Sequence, residues 1–262
     1  MPHSISELQA AVNRRWHGAA VTIGRPQVDP GTVLSVGAEL EAAVGQAGIP
    51  QGRLTEVLGG PSSGKTSLAL AALAACTSAG SIGAYVDPGG TFFAPAAAGA
   101  GIQLQRLLVV RPSNLDVARR AVDALVRCGA CSVVVFDCAD AGDVLLAHQC
   151  TRLVAQAEKT GTALLVLSNG NVPAVASFAS LRLRAGGLTP LWQEGSDGGA
   201  RLAGCVVSVE VLKSRMGAPG RSAGVHAVFP DVVNTWPVAP GAVGARSTAP
   251  SIVELGSAAA NG

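Results

Sequence analysis

The chain has 262 residues, 48% of them hydrophobic but only 3% aromatic, and a formal net charge of +2. That length allows one large α/β domain with a core of Ala, Val and Leu, or at most two small domains. No apolar run reaches the roughly 18 residues of a transmembrane helix, and so small a charge neither demands nor excludes nucleic acid. The first 20 residues hold Glu7, Asn13, Arg14 and Arg15 in place of an apolar signal core, so the expected location is the cytoplasm.

Six cysteines, at positions 76, 128, 131, 138, 150 and 205, sit mostly in apolar segments, as buried reduced thiols do. Cys128-Gly-Ala-Cys131 lacks the second pair or the nearby His of a zinc or redox site, and reads as a chance spacing.

Residues 1–52 form a lead-in. Ser4-x-x-Glu7 is a capping box, and behind it Ile5, Leu8, Ala11, Val12 and Trp16 recur at helical spacing. Such a helix packs on its own domain or docks on a neighbouring subunit, and both readings stay open. Residues 53–236 form the core. There "RLTEVLG", "IGAYVD", "LLVV", "CSVVVFD" and "ALLVLSN" are short apolar runs, separated by helical patterns over 66–79, 114–128 and 143–160. Strand and helix alternating at this rhythm predict βαβ units around a buried parallel sheet. "SLRLRA", "GCVVSVEVLKSR" and "GVHAVFP" follow with turns between them, as antiparallel strands extending the sheet edge. Residues 237–262 are small, polar and rich in Pro and Gly, the composition of a flexible tail. Within it "SIVEL" (251–255) either stays unstructured or binds a partner.

Residues 59–67 read GGPSSGKTS. Gly59-x-x-x-x-Gly64-Lys65-Thr66 has the spacing of a phosphate loop, placed after a strand and opening an apolar helix at Ser67. Across Gly59, Gly60, Pro61, Ser62, Ser63 and Gly64 the backbone can curl so that successive N–H groups face phosphate oxygens. Lys65 should reach the β- and γ-phosphates of ATP, and Thr66 should offer its hydroxyl to Mg²⁺. "VVVFD" ends in Asp137, the carboxylate that in such proteins holds the magnesium shell. Phe92 and Phe93, two of only nine aromatics, could stack on a base or could be core.

With both motifs placed, the chain resembles the RecA recombinase family from the lead-in helix to about residue 236. "GRLTEVLGGPSSGKTSLALAALA" looks like that family's first strand, phosphate loop and helix; "AYVD", "DALVRCGACSVVVFDC" and "ASLRLRA" fall where expected. The resemblance implies a RecA-like α/β fold: a mostly parallel twisted sheet, helices on both faces, antiparallel strands at one edge. It also implies ATP and Mg²⁺ as cofactors and self-association through the N-terminal helix. "VEVLKSRMGAP" is similar to a late strand of the family, which puts Lys213 and Arg215 where a subunit reaches across to its neighbour's nucleotide.

Three departures from the family bear on function. The family's catalytic glutamate stands two residues after the aspartate ending the second strand; here "YVDPGG" puts Gly89 there. Glycine cannot polarise water, so ATP should bind with weak or absent hydrolysis, unless Asp87 or a distant residue serves. The two long DNA-binding loops are cut down, since a helix from Asp143 closely follows Asp137 and only "NVPAVASFA" follows "VLSNG". Asn169 occupies the place of the family's γ-phosphate-sensing glutamine, one methylene shorter. Strand exchange is therefore not expected, and direct DNA binding is weak or left open. Between Arg182 and Arg221 six basic residues face three acidic ones; a solvated edge explains this, or Arg182 and Arg184, on one strand face, bear on a phosphate backbone.

A RecA-like domain with these losses looks like the ImuA proteins, diverged accessories of the mutasome in DNA-damage-induced translesion synthesis. That likeness implies RecA and a Y-family-like polymerase subunit as partners. The alternatives are an active DNA-dependent ATPase of the recombinase type, or a regulator capping RecA-type filaments or a cell-division polymer.

Overall fold

Apolar runs from both halves of the core assemble into one eight-stranded sheet. The computed structural model describes residues 33–44, 48–138, 145–194, 200–217 and 219–228, which all belong to a single compact unit. The lead-in helix over residues 4–16, Asp143, and the tail with 251–255 lie outside the described residues. In chain order come β1 (Val33–Leu34), α1 (Ala38–Val44), β2 (Ile49–Pro50), β3 (Leu54–Leu58), α2 (Lys65–Ser78), β4 (Gly83–Val86), α3 (Ala94–Gly99), β5 (Leu107–Val110) and α4 (Leu115–Cys128). β6 (Val133–Asp137), α5 (Ala147–Thr160), β7 (Ala163–Ser168), α6 (Pro173–Phe178), β8 (Leu181–Glu194), β9 (Ala200–Ser214) and β10 (Ser222–Val228) complete it.

The sheet order is β10-β9-β8-β3-β7-β6-β4-β5. The strands from β8 to β5 run parallel; β9 and β10 pair antiparallel at one edge. β3 and β7 are buried along their whole length, as strands covered on both faces are. α1 and α2 pack on one face through Leu40, Val44, Leu68, Ala72 and Leu73, against Val57, Val135 and Leu165. α4, α5 and α6 cover the other through Val122, Leu153 and Val175, against Leu54, Phe136 and Leu164. This is the expected α/β architecture. No helix among the described residues is long and apolar enough to cross a membrane.

Two elements depart from the sequence reading. α5 begins at Ala147, because Leu146 N–H donates to Gln149 Oε1 (3.0 Å) and starts the first turn there. β8 is not simply an edge extension: it pairs in parallel with β3 and antiparallel with β9. It also runs on past Gly186 and Gly187 to Glu194, since a bulge between Ala185 and Leu188 absorbs the extra residue with Gly187 at φ +75°. The hairpin so formed brings β8 alongside the strand that carries the phosphate loop.

Candidate functional site

β3 delivers the loop, and β7 anchors it: Gly59 N–H donates to Ser168 O at 3.0 Å. The curl that follows needs its glycines. A Cβ on Gly59 would stand 2.4 Å from both Ala185 O and Ser63 Oγ, and one on Gly64, at φ +90°, would meet the Val207 methyls at 2.6 Å. Ser62 takes a left-handed turn between them at φ 56°. Gly64 then caps α2 without a side-chain bond and with no acidic residue in the first turn. The free N–H groups and positive end of that helix are left for an anion.

The interior of the loop has the same polarity. Ser63 Oγ is buried and has no hydrogen-bond partner, a donor that the fold leaves for something else. Lys65, only 6% exposed, donates from Nζ to Gly60 O at 3.1 Å, so its ammonium already lies inside the loop. Thr66 is exposed in the first helical turn. An orphan hydroxyl, an ammonium and open helix N–H groups fit a polyphosphate.

Asp137 ends β6, with β7 lying between that strand and β3. Its Oδ2 accepts a hydrogen bond from the Tyr85 hydroxyl at 2.6 Å. Burial, and then the Asp137 carboxylate, push the Tyr85 phenol well above its ordinary pKa. Asn169 follows Ser168, whose carbonyl holds Gly59, so it stands at the edge of the loop.

The end of β4 is built differently. Asp87 is fully buried and accepts from Thr91 N–H (3.0 Å) and Phe92 N–H (2.8 Å), with Arg111 Nε at 3.6 Å. Its carboxylate staples the turn over residues 87–92 and is fully engaged in doing so. Gly89 lies exposed within that turn. Phe92 is core, its ring 4.8 Å from Tyr85; Phe93 is 64% exposed and is the accessible one of the pair.

Sequence reasoning missed Glu56. It is fully buried on β3, opposite Arg182 on β8, and the two form an ion pair. Arg182 also donates to Asn171 Oδ1 at 2.7 Å, and Arg184 pairs with Glu210 at 2.9 Å. Both guanidinium groups proposed for a phosphate backbone are thus engaged within the chain. Lys213 donates to Ala176 O and Ser177 O, each at 3.0 Å, capping the end of α6. Burial, with Arg215 and Arg182 nearby, lowers its pKa. Arg215, two residues on, is exposed. The available signal was Glu56 itself, a carboxylate inside the buried strand LTEVL, which requires a cation from elsewhere in the chain.

Loop, α2 and the aspartate strand together define a P-loop nucleotide-binding α/β protein. Similarity to known proteins narrows that class. The RecA N-terminal domain family matches residues 5–149, more than half the chain, and the chain belongs to that family. It is 28% identical to the protein RecA of Deinococcus radiodurans over 275 residues, spanning 85% of this chain and 74% of that one. With the RecA of Chloroherpeton thalassium it is 39% identical over 121 residues, 46% of this chain and 34% of the relative. In fold it is similar to the crystal structure of the RadB recombinase (TM-score 0.58, 22% identity, 74% of this chain and 96% of that one).

Proposed function

We propose that this RecA-family chain binds ATP with Mg²⁺ and hydrolyses it slowly or not at all, serving as an ImuA-like accessory in damage-induced translesion synthesis. Gly59 to Ser67 would hold the phosphates, and Thr66 and Asp137 the magnesium ion, which would neutralise phosphate charge. One observation carries the reading. Where the family has its catalytic glutamate the chain has Gly89, and the neighbouring carboxylate, Asp87, is consumed by Thr91, Phe92 and Arg111. Phe93 would offer a face to the base. Arg215 would complete a neighbour's site if subunits stack, and Lys213 would join it only by releasing α6.

RecA and a Y-family-like polymerase subunit are the proposed partners. The support is the likeness to ImuA, which rests on Gly89 and on the short segments after Asp137 and Asn169, together with the ion pairs that Arg182 and Arg184 already make within the chain. Mixing the purified chain with RecA filaments, beside Lys65→Ala, tests this. An adaptor binds along filaments without shortening them, and binds less well as Lys65→Ala. Shortened filaments would indicate a cap, and no association would end the adaptor reading.

A further inference from the structure

Tyr85 and Asp137 lie on adjacent parallel strands, with Tyr85 in register with Val135. Side chains two apart on a strand share a face, so Asp137 points to the same side as Val135. That side is the one α2 covers, where Lys65 and Thr66 begin their helix. Tyr85 therefore reaches diagonally to Asp137 beneath the phosphate-loop helix, and its 2.6 Å bond joins the two strand ends. The ring itself has no room to swing: Tyr85 is fully buried, and the Phe92 ring braces it at 4.8 Å and 49°. The Phe92 backbone in turn is tied to Asp87 through its N–H bond.

We propose that Tyr85 is the positioning residue of the magnesium site, its hydroxyl holding the Asp137 carboxylate in the orientation that receives Mg²⁺ with the nucleotide. The inference rests on the reading of the loop as an ATP–Mg²⁺ site. A carboxylate with one oxygen pinned cannot turn about its Cβ–Cγ bond without breaking that contact. Partners of this kind behind a metal-holding group commonly set metal affinity by about 10–100-fold. Asp87 acquires a role by the same chain of contacts. It ties the Phe92 backbone, the Phe92 ring braces Tyr85, and Tyr85 orients Asp137, so this second-strand carboxylate serves the metal site while being unable to serve as a base.

The test is calorimetric ATP binding with Mg²⁺ and with EDTA, for wild type, Tyr85→Phe, Asp137→Ala and the double variant. Tyr85→Phe removes one oxygen and keeps the ring, so folding is checked by thermal melting of the nucleotide-free forms. The expected result is unchanged affinity in EDTA and an about tenfold smaller gain from Mg²⁺ for Tyr85→Phe, with no further loss when it is added to Asp137→Ala. A full Mg²⁺ gain in Tyr85→Phe, or an equal loss in the Asp137→Ala background, overturns the inference. Wild type that binds ATP without any gain from Mg²⁺ overturns it too, yet leaves the nucleotide pocket standing. Wild type that fails to bind ATP overturns both.

Discussion

Ser63 lets the proposed role of the loop be tested at a single side chain. A buried hydroxyl without a partner costs roughly 1–3 kcal/mol, and Ser63 Oγ is one such group. Removing it should therefore act with opposite signs in the two states. Ser63→Ala should leave the nucleotide-free protein at least as stable as wild type, and should weaken ATP binding by about tenfold, the loss of one bond to a charged phosphate. Melting curves with and without ATP read both effects. The thiols make a second prediction at this scale. Burial pushes the Cys76 and Cys150 thiols up to about 11, and of the six cysteines only Cys128 is exposed. A thiol reagent under native conditions at neutral pH should label Cys128 rapidly and the other five only on unfolding. Mass spectrometry of the labelled protein decides it.

Pairs and elements follow another rule, because their energetics depend on what is left behind. Glu56 sits in the middle of the sheet with Arg182 as its counter-ion. Removing one partner strands a buried charge, so Arg182→Ala should cost about 3 kcal/mol in chemical denaturation. Replacing both, as Glu56→Gln with Arg182→Met, should cost much less than the sum of the single changes. This pair also shows why part of the site was illegible. Its members are 126 residues apart and meet only because β8 runs parallel to β3, a register no local pattern announces. By contrast β6 and β7 were readable as almost continuous apolar runs, β3 as a short run between Arg53 and Gly59 despite Thr55 and Glu56, and α4 as a periodic helix between Asn114, which accepts from Val117 N–H, and Gly129 at φ 67°. α1, α3 and α6 were not, since six or seven residues are too few to establish a period. The far half of β8 was hidden by Gly186, Gly187 and Pro190, which signal a turn in isolation and here form a bulge and a paired strand.

At the scale of the whole molecule, the placing of residues 59–64 between a strand and a helix was legible from glycine spacing and the flanking apolar runs, while the fate of Asp87 was not. Its residue type left it eligible as a base; only the fold reveals the turn that consumes it. Assembly supplies a separate test. If subunits stack, Arg215→Glu should weaken ATP binding in proportion to self-association and have no effect on a dilute monomer, as sedimentation with labelled nucleotide would read. The most direct measurement concerns water activation itself: steady-state phosphate release from ATP–Mg²⁺, with and without single-stranded DNA, beside Lys65→Ala. Release no faster than in that variant, in a protein that demonstrably binds ATP, is the predicted result. Turnover that DNA accelerates and Lys65→Ala abolishes would contradict it.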